Sequence, residues 1–424
     1  MDTYYIRGGR RLVGSIPVHG AKNSALPILT AAVLARGKSV LHNCPDLTDV
    51  SHTLGILRCL GCTVSRQGET VTVDTSVLSD CKVPSCLMGK MRSSVLFLGA
   101  LLAREGEAVL SLPGGCALGP RPINLHLEAM RALGAEIVED DGKITCRAKK
   151  LTGSRIILAF PSVGATENIM LAAVAARGTT TILNAAREPE IADLQGFLRS
   201  MGAKIWGAGG PVIVIEGDYP LHPGEYSVMP DRIVTATCLA ATAAAGGKTE
   251  LTGTDWRTVS PVIEALREAG CRINSNGDRI QLESNGRLTG VQTVYTAPYP
   301  GFPTDAQPVL MAALAGGTGT TRFVETIFDS RFGHAPELCR MGASIHIEGH
   351  TAEVCGASGL HGAVVEARDL RGGAALVVAA LGAQGETEIG GLAYIDRGYE
   401  NLDERLRQLG ADVVRRSGEN CPEK

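Results

Sequence analysis

Apolar positions along this chain switch between two periods. Stretches of helical spacing end in glycine and are followed at once by alternating, strand-like residues, in LRCLGCTV, MRALGAEI, LRSMGAKI, LREAGCRI, LCRMGASI and LRQLGADV. The six glycines, Gly61, Gly134, Gly202, Gly270, Gly342 and Gly410, lie 73, 68, 68, 72 and 68 residues apart, a beat that marks six copies of one unit. Glycine there suits a helix C-terminus that closes in left-handed geometry. The alternation after it (AEIVEDDGKITCR, CRINSNGDRIQL, ASIHIEGHTAEV) predicts a hairpin with glycine at the turn. A leucine-led glycine turn follows at Leu12, Leu151, Leu221, Leu288 and Leu360, then another strand and a small-residue helix such as IMLAAVAARGTTTIL or VLMAALAGGTGTTRF. The second copy lacks that turn.

Alanine and glycine in those helices permit close packing of helix on helix, in keeping with only 4% aromatic residues, so the sheets are expected outside a helical core. The sixth copy stops after Asp412 to Arg416, before its second hairpin strand. The N-terminal YYIRGGRRLVGSIPVHGAKN supplies the missing parts, which predicts two closed sets of three copies. One domain then covers residues 22–229, and the other residues 1–21 and 230–424. Two chain crossings, near Gly20 and Pro230, would act as a hinge.

A hydrophobic fraction of 44% against 20% charged residues fits a globular α/β protein. A net charge of -3 argues against a nucleic-acid or acidic-lipid surface, so any anion site must be built locally. The first residues, MDTYYIRGGRRLVG, lack the apolar core of a signal peptide, and no apolar run reaches membrane-spanning length, which places the expectation in the cytoplasm. Twelve cysteines spread through such a chain are expected reduced, and the Cys59–Cys62 pair is read as core packing.

Polar residues gather where each small-residue helix begins: Lys22 and Asn23, Arg92, Thr166 and Glu167, Asp231 and Arg232, Asp305, and Asp369 with Arg371. The second helices repeat this with Cys116 and Arg121, Arg187 with Glu188 and Glu190, Asp255 with Arg257, Asp329 with Arg331, and Asp396 with Arg397. Helix N-termini and arginine both favour anions, so the expected ligand is a compact polyanion held at one site. Any one of these residues could be a simple cap or a solvated charge. The scaffold repeats while the chemical identities at matching places do not, and that difference points to function. The segment SLPGGCALGPRPINLH, residues 111–126, frames Cys116 with turn residues and predicts a mobile loop with a reactive thiol; the other eleven cysteines are read as packing residues. Gly37-Lys38-Ser39 resembles the end of a phosphate-binding loop but has alanine at position 32 where glycine is needed. No zinc or nucleophile-elbow motif occurs.

Eight longer segments carry a resemblance: HGAKNSALPIL (19–29), SLPGGCALGPRP (111–122), FPSVGATENIM (160–170), NAAREPEI (184–191), FPTDAQ (302–307), DSRFGHAPEL (329–338), ARDLRGGAALV (367–377) and YIDRGYE (394–400). Together they resemble the UDP-N-acetylglucosamine 1-carboxyvinyltransferases of the enolpyruvyl transferase family, over essentially the whole chain. The resemblance implies a two-domain inside-out α/β barrel with three units per domain, helices inside and sheets outside. It also implies transfer of the enolpyruvyl group of phosphoenolpyruvate to the 3'-hydroxyl of UDP-N-acetylglucosamine, with phosphate released, as the first committed step of peptidoglycan synthesis. No cofactor or metal is implied, and the enzyme is expected to be a monomer.

By that resemblance Lys22, Arg121 and Arg397 hold phosphoenolpyruvate, and Arg92, Arg331, Asp369 and Arg371 line the same site. Cys116 gives a proton to the methylene carbon, forms an adduct with phosphoenolpyruvate and is the thiol that epoxide inhibitors alkylate; its loop would close as a lid. Asp305 is the base for the sugar hydroxyl, and Asn23 holds the intermediate. Arg121, Pro122, Ile123, Asn124 and Leu125, together with Ser162, Val163, Gly164 and Ile327, match the nucleotide-binding segments. Asn124 stands where aspartate is common, and Phe160 where some members carry lysine. Two other readings remain open at this point. One is a 5-enolpyruvylshikimate-3-phosphate synthase, against which Lys22-Asn23-Ser24-Ala25 and Cys116 argue; the other is a catalytically silent nucleotide-sugar-binding paralogue.

Overall fold

The structure, a computed structural model, describes residues 2–114, 118–119, 122–357 and 359–417. Two compact units emerge: a central unit of residues 20–114 and 122–229, and a terminal unit of residues 2–19, 118–119 and 230–417. The chain leaves the terminal unit at residues 19–20 and returns to it at residues 229–230, and residues 118–119 between these points also belong to the terminal unit. Ala21 N–H donates to the Met229 carbonyl on the central side, and Asp231 N–H to the His19 carbonyl on the terminal side.

Among the described residues each unit holds three small sheets, and strands are passed between them in a ring. In the terminal unit the hairpin Arg272–Asn276 and Arg279–Ser284 is followed by Val294–Tyr295, which leaves its own sheet to pair in parallel with Thr320–Val324. The hairpin Ser344–Glu348 and Thr351–Cys355 sends Val364–Glu366 to Glu386–Gly390 in the same way. The third hairpin is made from both chain ends: Thr3–Arg7 runs antiparallel to Asp412–Arg416 on one side and to Glu386–Gly390 on the other. Its follower Leu12–Pro17 pairs in parallel with Gly247–Thr252, so the third sheet hands its strand back to the first. The start of the chain therefore completes the sixth copy.

The central unit repeats the scheme. Arg155–Ile157 joins Thr179–Leu183, and Glu225–Ser227 joins Lys38–His42. Among the described residues, the second copy, which lacks the leucine-led turn, shows a single parallel bridge, Lys82 to Val109, and a sheet of three strands instead of four. Without the turn the chain does not run alongside its neighbour long enough to form a ladder.

Alternation along each strand turns one face to the helices. In Arg279–Ser284 the residues Ile280 and Leu282 are buried while Arg279, Gln281 and Glu283 face out. Under the sheets of the terminal unit the helices Arg232–Ala245, Gln307–Ala315 and Leu370–Gly382 pack on one another and are buried nearly all round. Lys22–Ala31, Phe97–Glu105 and Val163–Ala173 fill the core of the central unit. Small side chains allow the approach: a Cβ on Gly382 would lie 3.0 Å from the Ala244 carbonyl oxygen. This is a mixed α/β fold in two parts with helices inside and sheets outside.

All six repeat glycines have positive φ, between 91° and 102°. The cysteines correct one expectation. Cys44, Cys62, Cys146, Cys238 and Cys271 are buried, but Cys59, Cys86 and Cys339 are exposed and pack no core. Cys116 and Cys421 lie outside the described residues. Among the described residues no helix is long and apolar enough to cross a membrane.

Candidate functional site

In the terminal unit three of the expected residues meet around one carboxylate. Asp305 lies in the turn just ahead of Gln307–Ala315, and its two oxygens face different arginines. Arg331 Nη2 reaches Oδ1 at 2.7 Å, while Arg371 Nε and Nη2 both reach Oδ2 at 3.1 Å. Both guanidinium groups are buried, whereas the Asp305 side chain keeps 27% of its surface open. Arg331 is further held by Nε and Nη2 bonds of 3.0 and 2.9 Å to the Thr304 carbonyl. The Thr304 hydroxyl in turn donates to Glu325, whose Oε1 accepts the backbone N–H groups of Ile327 and Phe328. One chain of bonds thus links the Ile327 turn to Asp305.

Asp369 caps the helix Leu370–Gly382, accepting from the N–H groups of Arg371 and Gly372 at 3.1 and 2.9 Å. Its role in the fold is to set the first turn from which Arg371 reaches Asp305. Burial alone would lower the Arg371 pKa; the charges of Asp305, Tyr399 and Asp231 outweigh it and raise the value. Arg371 Nη1 is buried without a hydrogen-bond partner among the described residues, and so are both ring nitrogens of His334. A buried guanidinium N–H left over beside an ion pair is a place for an anionic oxygen. Burial pushes His334 down to about 4, opposed by Asp369 and reinforced by Arg331, which keeps this neighbouring ring neutral. Arg397 is half-buried in the turn after Leu392–Ile395.

In the central unit Lys22 is the first residue of Lys22–Ala31, with Asn23 beside it. Its ammonium pairs with the buried Asp49 carboxylate at 3.2 Å. Asp193 fixes the next residue: it accepts from the Ser24 hydroxyl, from Tyr226 Oη at 2.8 Å and from the Met229 N–H at 3.1 Å. Burial raises the pKa of Asp193 in spite of those donors. Arg92 opens the 3₁₀ turn Arg92–Leu96 and donates through Nη2 to the Pro122 carbonyl at 3.0 Å, tying two expected segments together. Asn124, exposed, begins Asn124–Ala132 just after the buried Ile123, with Leu125 half-buried behind it. Ser162 caps Val163–Ala173 by accepting from the Ala165 N–H, so Ser162, Val163 and Gly164 form one helix start. Cys116 and Arg121 lie outside the described residues.

Three sequence pairings resolve differently. Asp255 and Arg257 form a self-contained cap at the surface, with the arginine side chain 73% exposed. Asp329 is exposed and faces His350, whereas Arg331 turns inward to Asp305. Glu167 sits inside its helix, not at its start, and burial with the nearby Glu190 and Glu188 raises its pKa well above the usual carboxylate range. Sequence reasoning missed Asp49, Asp193, Thr304, Glu325 and His334. Asp49, Asp193 and Glu325 sit in ordinary local patterns and are revealed only by their placement, whereas Thr304 and His334 lie inside the FPTDAQ and DSRFGHAPEL segments without having been given a role.

Residues 6–406 match the family described as EPSP synthase (3-phosphoshikimate 1-carboxyvinyltransferase). A UDP-N-acetylglucosamine 1-carboxyvinyltransferase 2 of Caldanaerobacter subterraneus is 50% identical over 415 residues, covering 98% of this chain and 100% of that protein. The UDP-N-acetylglucosamine 1-carboxyvinyltransferase of Idiomarina loihiensis is 48% identical, covering 98% and 99%. Among solved structures, the enolpyruvyl transferase NikO from Streptomyces tendae superposes with a TM-score of 0.87 at 28% identity, over 98% of both chains. An EPSP synthase from Acinetobacter baumannii, at 19% identity and a TM-score of 0.74 over 98% of this chain and 100% of that one, shares the fold. The chain belongs to the enolpyruvyl transferase family, within its UDP-N-acetylglucosamine 1-carboxyvinyltransferases.

Proposed function

We propose that this chain transfers the enolpyruvyl group of phosphoenolpyruvate to the 3'-hydroxyl of UDP-N-acetylglucosamine and releases phosphate, in the first committed step of peptidoglycan synthesis. The observation that supports it best is Asp305 between the buried Arg331 and Arg371, with a guanidinium N–H left over for an anion. The reaction needs such a combination: a base for the hydroxyl, and fixed positive charge for a carboxylate and a phosphate.

In the first step the sugar oxygen bonds to the carbon bearing the phosphate, and the methylene carbon takes up a proton. The sugar proton passes to Asp305 and the incoming proton comes from Cys116. The product is a tetrahedral ketal. The Cys116 thiolate then takes a proton back from the new methyl group, which restores the double bond as the carbon–oxygen bond to phosphate breaks, and the proton held by Asp305 leaves with the phosphate. Lys22, Arg121 and Arg397 hold the phosphoenolpyruvate, Arg92, Arg331, Asp369 and Arg371 line the same site, and Asn23 holds the ketal. Arg121, Pro122, Ile123, Asn124, Leu125, Ser162, Val163, Gly164 and Ile327 hold the nucleotide. In this reading the enzyme is a cytoplasmic monomer, works without cofactor or metal, and carries a phosphoenolpyruvate adduct on Cys116.

Phosphate release measured with each acceptor tests this. UDP-N-acetylglucosamine should support turnover and shikimate 3-phosphate should not. The reverse preference would establish the shikimate reading, and binding of UDP-N-acetylglucosamine without phosphate release would establish a silent paralogue.

A further inference from the structure

Glu325 follows the strand Thr320–Val324 and is buried, although none of the roles above uses it. A carboxylate only accepts hydrogen bonds, and in such a place it is costly unless donors surround it. Its Oε1 accepts the N–H groups of Ile327 at 2.8 Å and Phe328 at 3.1 Å, the pattern of a helix cap set ahead of a turn. The residue between is held from the other side. Thr326 N–H donates to Thr296 Oγ1 at 2.9 Å, and the Thr326 hydroxyl to the Thr296 carbonyl at 2.6 Å. Glu325 N–H itself donates to the His350 carbonyl at 2.8 Å, so every residue from 325 to 328 is tied down.

A cap would need one oxygen only. Here both oxygens face the Thr304 hydroxyl, at 3.1 and 3.0 Å, and share its single proton across 21 residues of sequence. Thr304 is held a second time through its carbonyl, which accepts from Arg331 Nε and Nη2 at 3.0 and 2.9 Å. The same Nη2 reaches Asp305 Oδ1 at 2.7 Å. The peptide unit leading into Asp305 therefore cannot shift without disturbing Arg331 or Glu325.

We propose that Glu325 is a positioning residue that couples the nucleotide to the base: through one carboxylate, a shift of the Ile327 turn under a uridine diphosphate group reaches Thr304 and sets the Asp305 carboxylate. The inference rests on the nucleotide-sugar reading above, in which Ile327 meets the nucleotide and Asp305 takes the sugar proton.

Carbon NMR of the full chain with aspartate labelled at its carboxyl carbons reads this link without turnover, the Asp305 signal being identified by its loss in Asp305→Asn. UDP alone, which lacks the reacting sugar, should move that signal in the wild type. Thr304→Val removes the hydroxyl but keeps the carbonyl on Arg331 and both N–H bonds of Glu325. By calorimetry it should bind UDP within about threefold of the wild type, while UDP no longer moves the Asp305 signal. Equal movement in both proteins, or none in the wild type, overturns the proposal.

In turnover Thr304→Val should lower kcat about tenfold per UDP-binding site, with KM for UDP-N-acetylglucosamine changed by less than about threefold. Thr304→Ser restores the hydroxyl and should recover most of kcat; a loss as deep as that of Thr304→Val sinks the idea. Glu325→Ala leaves two N–H groups of the turn without their acceptor and should lose about tenfold in UDP affinity as well as in kcat. A merely structural role would reduce the number of UDP-binding sites and leave kcat per site in place, which also overturns the proposal. If Glu325→Ala does not fold, the two Thr304 variants decide. A chain in which UDP moves the Asp305 signal through Thr304 but which releases no phosphate would keep the role of Glu325 and remove the proposed reaction. Phosphate release without that movement would do the reverse.

Discussion

Asp305 Oδ2 accepts from Arg371 Nε at 3.1 Å across 66 residues of sequence, joining the turn ahead of one core helix to the first turn of the next. Arg331 closes the other side of the same carboxylate. Two buried positive charges around one negative charge leave a net positive socket that keeps the carboxylate oriented. An ion pair of this kind adds modestly to stability while intact, but removing one partner strands the other in a poorly solvating environment.

Arg331→Met should therefore destabilise the terminal unit by about 3 kcal/mol, since Thr304 and Asp305 both lose their partner. Arg331→Lys should recover part of this by keeping the charge without the forked geometry. Urea unfolding followed by circular dichroism reads both; equal stability of all three proteins would show that the pair is not buried as described.

Asp305→Asn should lower kcat by a factor on the order of 10² to 10⁴ with modest change in KM, as expected for loss of a general base. Cys116→Ala should remove most phosphate release while leaving UDP-N-acetylglucosamine binding nearly intact. Unchanged single-turnover rates in either variant would take that residue out of its assigned role.

His334 predicts an acid limit to stability. Its folded pKa, about 4, lies below the ordinary 6.5, so between these values the unfolded chain binds more protons and stability falls as pH drops from 6.5 towards 4. Above 6.5 the ring contributes no slope. His334→Gln should flatten the stability curve across that window, and an unaltered slope in thermal melts would assign the acid sensitivity elsewhere.

Gly61 and Gly134 share nearly the same backbone angle, φ of 97° and 95°, but not the same surroundings. A Cβ on Gly134 meets nothing within 4 Å, whereas on Gly61 it would lie 2.4 Å from Ser79 Oγ and 2.9 Å from the Ser79 backbone nitrogen. Gly134→Ala should cost about 1–2 kcal/mol from left-handed backbone alone. Gly61→Ala should cost clearly more. Equal losses of Tm would mean that Ser79 moves away freely.

The chain determined by itself whatever short-range sterics control. The six glycines at φ near +95°, the hairpins after them and the alternating burial of strands such as Arg279–Ser284 all follow from neighbours in sequence. Even the missing turn of the second copy was legible, and it appears as a three-stranded sheet. The long ordered motifs also located Asp305, Arg331 and Arg371 one by one. Tertiary structure alone decided which charges are partners. Asp255 with Arg257 and Asp329 with Arg331 look alike in sequence, yet the first pair is a solvated cap, while Arg331 abandons its neighbour for Asp305, 26 residues away. Hydrophobic period could not reveal Glu325 either, since it follows an ordinary strand and gains its meaning from Thr304, 21 residues away. Backbone geometry is set by the adjacent residues, but the free energy of a buried polar group depends on which distant donors and acceptors the closed fold brings within about 3 Å of it.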